Sequence, residues 1–220
     1  MIEPTFIDGP PDGLSYRYKV GAEVSAPAVM MLHGKTGDEN VMWVLEGVLP
    51  RGSHLVAPRG LFPVMEGGFH WINAPHDGWP EVSDFQASAE ALFKTLEDLK
   101  GRFQFDRRRL VLMGFSQGAA LAFAATALGI LQPGALVALA GFLPKGKLNG
   151  LKDLPIFWGH GSQDEMIPIE NARMDVEKLL GIGADVHYCE ADVGHKLGAE
   201  CARGLNTWLL RLFPFSGLPE

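Results

Sequence analysis

Short, uninterrupted apolar runs alternate along this chain with longer segments whose apolar positions recur every three or four residues. The short runs are Ala28 to Leu32, Ser53 to Ala57, Arg109 to Met113, Ala135 to Ala140, Pro155 to Trp158 and Val186 to Glu190. Ala28 to Leu32, Ala135 to Ala140 and Pro155 to Trp158 are apolar throughout and predict strands buried on both faces; the other three predict strands. Leu14 to Val20 alternates instead and predicts an edge strand. Helices are predicted at Asp38 to Leu49, in the alanine-rich stretch after Gly118, at Ile169 to Leu180 with Gly181 behind it, and at Ala199 to Leu212. A further long helix opens at Ser83, places Phe85, Ala89, Leu92, Phe93, Leu96 and Leu99 on one side, and stops before Gly101. Strands alternating with helices predict the α/β class: a mostly parallel central sheet with helices on both faces. No repeat, low-complexity tract or linker interrupts the pattern, so residues 1–220 read as a single domain. Pro58 to Pro80 breaks the alternation and predicts a long loop carrying Phe62, Met65, Phe69, Trp71 and Trp79. Loops of that length are functional or are ordered by their own side chains.

Composition narrows the partners. Of 220 residues, 47% are apolar and 20% charged, enough for a large core. A net charge of −7 argues against nucleic acid and anionic membrane surfaces as main partners. The start of the chain has neither a basic nor an apolar leader segment. The longest apolar stretch, Ala119 to Leu131, is too short for stable membrane insertion. The expected location is the cytoplasm. Cys189 and Cys201 lack C-x-x-C spacing; a disulfide is open to them, and reduced thiols are the expectation. His160 and Asp164 have a helix-like spacing but no third ligand, so no metal is expected, and no motif calls for a cofactor.

The chemistry centres on Gly114-Phe115-Ser116-Gln117-Gly118, which lies between the strand-like Arg109 to Met113 and the helix-like Ala119 to Ala125. A serine on a sharp strand-to-helix turn is a nucleophile elbow, and glycine at both outer positions removes the clash that such a turn creates. In parallel sheets ligands sit beyond the carboxyl ends of the strands. Asp164 follows the strand ending at Trp158, and His195 follows the one ending at Glu190. The order Ser116, Asp164, His195 is that of a Ser-His-Asp triad on an α/β sheet. Serine needs a base, histidine titrates near neutrality, and a carboxylate fixes the histidine tautomer. Glu165 and Asp192 compete for the acid role, and six other histidines compete with His195. Two backbone N–H groups complete the reading as an oxyanion hole: Gln117, after the nucleophile, and Lys35, in the loop His33 to Asn40.

On Leu32-His33-Gly34 with Gly37-Asp38-Glu39, Ala57-Pro58-Arg59-Gly60, Gly114 to Ala119, His160-Gly161 with Asp164 and Ile167-Pro168, and Gly194-His195, the chain resembles the phospholipase/carboxylesterase family of α/β-hydrolases. That group includes acyl-protein thioesterases and small bacterial carboxylesterases. The resemblance implies an α/β-hydrolase fold without a large cap domain, no cofactor, and hydrolysis of short- to medium-chain acyl esters or thioesters. Lys35 departs from the small or apolar residue that often follows His-Gly in the family. Phe62, Met65, Phe69, Trp71 and Trp79 could wall an acyl pocket or form the private core of their loop. The partner expected is a small-molecule ester or thioester, with a dimer compatible with the sequence. The alternatives are a serine hydrolase acting on a peptide or lactone, and a non-catalytic hydrolase-like binding protein.

Overall fold

The computed structural model describes residues 3–65, 67–73 and 78–214. In chain order the strands are β1 (Thr5–Ile7), β2 (Tyr16–Lys19), β3 (Ala28–Leu32), β4 (His54–Pro58), β5 (Phe62–Pro63), β6 (Phe69–His70), β7 (Leu110–Phe115), β8 (Ala135–Leu139), β9 (Pro155–Gly161) and β10 (Asp185–Ala191). The α-helices are α1 (Gln86–Arg102), α2 (Gln117–Ala127), α3 (Ile169–Gly181) and α4 (Ala199–Leu212). Eight strands form one sheet in the order β1-β2-β4-β3-β7-β8-β9-β10, parallel from β4 to β10 and antiparallel at β1 and β2.

Alternation within the apolar runs divides the core between the two faces of this sheet. Met30, Leu32 and Leu112 face α1, α2 and α3; Val29, Met31, Val111 and Met113 face α4 and the 3-10 helix Val41–Val48. Helix α2 is buried along its whole length. That accounts for a sequence apolar all round: it has no solvent side to mark with charges.

Several elements differ from the expectations. Tyr16–Lys19 is not the sheet edge, because β1 pairs outside it, Thr5 opposite Tyr18. Three residues were too few to show a period. The segment Asp38 to Leu49 forms a 3-10 helix over Val41–Val48 instead of an α-helix. Its β-branched Val41, Val44 and Val48 weaken α propensity. The Ser83 segment starts as a 3-10 turn at Val82, with a reciprocal cap between Glu81 and Asp84, and Gly101 lies inside α1. Phe93 sits about a hundred degrees round from Leu92 and is exposed, off the buried stripe.

The expectation of reduced thiols is also corrected. Cys189 on β10 and Cys201 on α4 form a disulfide, with their Cα atoms 5.7 Å apart. Packing of α4 against the last strand creates that proximity, which a separation of 12 residues could not show.

The predicted long loop contains a hairpin. β5 pairs with β6, Phe62 opposite His70, and Phe69 N–H donates to Gly37 O at 2.9 Å. The hairpin thus braces the loop that follows β3. No inserted cap domain occurs among the described residues, and none of their helices is long and apolar enough to cross a membrane.

Candidate active site

Ser116 separates β7 from α2 at φ 52° and ψ −118°, a conformation that L residues rarely adopt. Both flanking glycines are sterically required. A Cβ on Gly114 would overlap the Gly118 backbone, and one on Gly118 would overlap the Leu32 carbonyl. Ser116 makes no capping bond to its own helix, so its hydroxyl is left for the cleft.

Asp164 and His195 meet on the loops after β9 and β10. His195 Nδ1 lies 2.7 Å from Asp164 Oδ2. A carboxylate only accepts, so Nδ1 carries the proton and donates, leaving Nε2 as the free lone pair. The other oxygen, Asp164 Oδ1, accepts from Met166 N–H and Ile167 N–H, each at 2.9 Å. Burial opposes the charge, but the Ile167, His195 and Met166 donors outweigh it and hold the carboxyl below the usual range. His160, buried beneath this loop, donates from Nε2 to Ile167 O at 2.9 Å. The competing acids are elsewhere. Glu165 is exposed, and Asp192 accepts from Gln163 Nε2 at 3.1 Å.

His195 packs edgewise on Phe115, their ring centroids 4.9 Å apart, which sets it beside the elbow. A cleft of about 290 Å³ opens over Ser116. Lys35 and Gln117 line it, as do His70, Ile72, Trp79, Phe142, Met166 and Ile167. Among the described residues, neither the Lys35 nor the Gln117 backbone N–H donates to a protein acceptor.

The loop bearing Lys35 is held from three sides. Gly60 N–H donates to His33 Nε2 at 2.9 Å, so the His33 proton is on Nδ1, donated to Gly34 O at 2.7 Å. Trp71 Nε1 donates to His33 O at 2.7 Å. Arg59 clamps Glu39 through two bonds of 2.7 Å each, its guanidinium 5.1 Å from the Phe69 ring centroid. Burial pushes the His33 pKa down and keeps the ring neutral.

Of the five candidate pocket residues, the structure brings only Trp79 to the serine cleft, its ring tilted against that of Phe142 with centroids 4.4 Å apart. Trp71 is fully buried and its backbone N–H donates to Gln117 Oε1 at 3.0 Å, so it supports the elbow from within the core. Met65 is fully exposed at the hairpin tip, while Phe62 and Phe69 belong to the hairpin and do not line the cleft. Sequence reasoning missed His70, Ile72, Phe142 and Met166. Phe142 had a readable signal: it lies just past the carboxyl end of β8.

The profile of the phospholipase/carboxylesterase family matches residues 20–206. The chain belongs to the phospholipase/carboxylesterase family. It is 31% identical to acyl-protein thioesterase 1 of Candida albicans over 183 residues, 71% of this chain and 78% of that protein. Acyl-protein thioesterase 1 of Kluyveromyces lactis is 30% identical over 175 residues, 68% and 74% of the two chains. The fold matches the carboxylesterase of Bacillus cereus with a TM-score of 0.80 at 20% identity, over 91% of this chain and 95% of that one. A carboxylesterase from Mesorhizobium loti gives 0.79 at 22% identity, over 94% and 99%. As a member of this family the chain is a hydrolase of the esterase or thioesterase type.

Proposed function

We propose that the protein is a serine hydrolase of carboxylic esters and thioesters, acting through an acyl-enzyme on Ser116. The observation that carries this reading is the bond from His195 Nδ1 to Asp164, on the loops beside a serine held at a strained elbow. With Nδ1 engaged, Nε2 of a neutral His195 is the base. It takes the Ser116 proton as Oγ bonds to the substrate carbonyl carbon, and the carbonyl π pair moves onto oxygen. The Gln117 and Lys35 N–H groups receive that oxyanion. The oxyanion then collapses, the bond to the leaving oxygen or sulfur breaks, and the proton on Nε2 goes to the leaving atom. Water repeats the sequence on the acyl-enzyme, releasing the acid and restoring Ser116. The Ser116–His195 contact is formed, in this reading, in the substrate complex, where such contacts commonly tighten.

A cleft of about 290 Å³ is at the small end for ligand sites and favours short acyl groups. The net charge of −7 supports an enzyme with no nucleic-acid partner. Labelling with a fluorophosphonate probe, together with hydrolysis of a 4-nitrophenyl ester series, tests the assignment. Wild type is expected to label and turn over; Ser116→Ala is expected to do neither. Equal labelling of the alanine variant would refute the nucleophile.

A further inference from the structure

A second pocket, of about 520 Å³, adjoins the serine cleft on the other side of the loop that follows β3. Lys35 borders both spaces. The body of the second pocket is apolar: Phe115, Leu197 and Leu45 wall it, and Val44, 81% exposed, stands at its edge. Lys35 and Lys196 also line it and are exposed, and no acidic residue does. Neither lysine has an ion-pair partner among the described residues. The acids on the neighbouring loop are already engaged. Asp38 accepts from Asn40, and Glu39 is clamped by Arg59. On a chain of net charge −7, this is an apolar hollow flanked by two uncompensated cations.

Its position assigns it a part of the substrate. In the proposed reaction the leaving atom must take its proton from His195. The pocket is walled by Phe115, on which the His195 ring packs, and by Lys196 and Leu197, which follow His195 directly. We propose that this pocket receives the leaving group and selects alcohols or thiols with an apolar body ending in an anion, such as a carboxylate. The inference rests on the ester-hydrolase reading and adds the leaving-group class to it. The apolar body is desolvated against Leu45, Phe115 and Leu197. The anion stays at the wet rim between the two ammonium groups, where it costs little desolvation.

Two acetate esters test this, one of 4-(4-hydroxyphenyl)butanoate and one of the corresponding neutral amide, compared by the ratio of their kcat/KM values. The acyl group is the same, so the ratio reports only the leaving group. The ratio is expected to exceed about threefold at low salt, to fall about threefold in Lys196→Met, and to fall similarly in Val44→Glu, which adds an anion at the edge. Molar salt should bring the wild-type ratio towards one. A wild-type ratio near one, or a ratio unmoved by both variants, overturns the inference and leaves the hydrolase reading intact. A second pair places the charge on the acyl side: 4-nitrophenyl glutarate against 4-nitrophenyl glutaramate. If Lys196→Met lowers that ratio in place of the first, the pocket holds the acyl chain and the leaving-group assignment is wrong. If the wild type hydrolyses none of the four esters, the hydrolase reading fails and the leaving-group class with it.

Discussion

At the scale of single residues, the carboxylate bonded to His195 is the sharpest test of the proposed chemistry. Asp164 has one oxygen on His195 and the other on two backbone N–H groups. An amide in its place would present an N–H group to a donor and favour the wrong histidine tautomer. Asp164→Asn is therefore expected to lower kcat by at least about a hundredfold, below the ~10⁴ of an enclosed triad because this site is open. Asp192→Asn and Glu165→Gln should stay within about tenfold of wild type. A crippled Asp192→Asn beside an active Asp164→Asn, read in the same steady-state assay, would move the acid to the histidine's own loop. Lys35→Met keeps its backbone N–H, so turnover of a neutral acetyl ester should change only a few-fold. A loss of about 10²–10³, the usual cost of an oxyanion donor, would implicate the ammonium or the loop shape it sets.

Two tertiary links at the scale of elements make separate predictions. The Arg59–Glu39 clamp ties the loop after β3 to the start of the hairpin segment. Its Glu39 side is buried and its Arg59 side about a third exposed, so only part of a buried pair's energy applies. Arg59→Met should cost about 1–2 kcal/mol and lower Tm by a few degrees. It should also slow turnover, because the loop bearing Lys35 loses a fixed edge. An unchanged Tm and kcat would mean that the hairpin contacts alone hold the loop. The disulfide from β10 to α4 closes a short loop, for which the chain-entropy account gives about 3 kcal/mol. Cys201→Ala should accordingly lower the urea midpoint, and because the segment that the bridge closes carries His195, it should lower kcat as well. An unchanged urea midpoint and kcat would mean that the packing of α4 alone fixes that loop.

The whole molecule should lose stability in acid in two steps of the same sign. Burial holds both His33 and His54 below the ordinary imidazole range. Above about pH 6.5, the unfolded value, both rings are neutral in either state and their contribution is complete. As pH falls below that value the unfolded chain binds protons that the folded chain refuses, so stability drops. Their hydrogen bonds give the reason. His33 Nε2 and His54 Nδ1 accept from the Gly60 and Gly21 N–H groups, and a protonated ring could not. Asp164 and Glu39 are held below the usual carboxylate range; their contribution is present above about pH 4 and lost as pH falls through the folded values. The urea midpoint should therefore be lower at pH 5.5 than at pH 7.5, with a steeper fall below pH 4. A midpoint flat from pH 7.5 to 5.5 would mean that the two rings take up protons in the fold as readily as in the unfolded chain.

The sequence by itself determined strands β2 to β4 and β7 to β10, most of the helices and the elbow. These rest on local physics. Apolar runs such as Ala28 to Leu32 are buried on both faces, and Gly114 and Gly118 are required within a few residues of Ser116. It also placed Asp164 and His195 at the carboxyl ends of strands, because parallel topology decides which loops share an edge. Whether Asp164 or Asp192 meets His195 depends on how two loops from β9 and β10 turn towards each other, which spacing does not encode. The aromatics show the same limit. Trp71 and Trp79 are alike as letters in one loop, yet one is core and the other lines the cleft, because only the fold sets Trp71 against His33 and Gln117. The disulfide and the two-lysine pocket are tertiary for one reason: each joins side chains from separate elements, and only the packing of those elements brings them within reach.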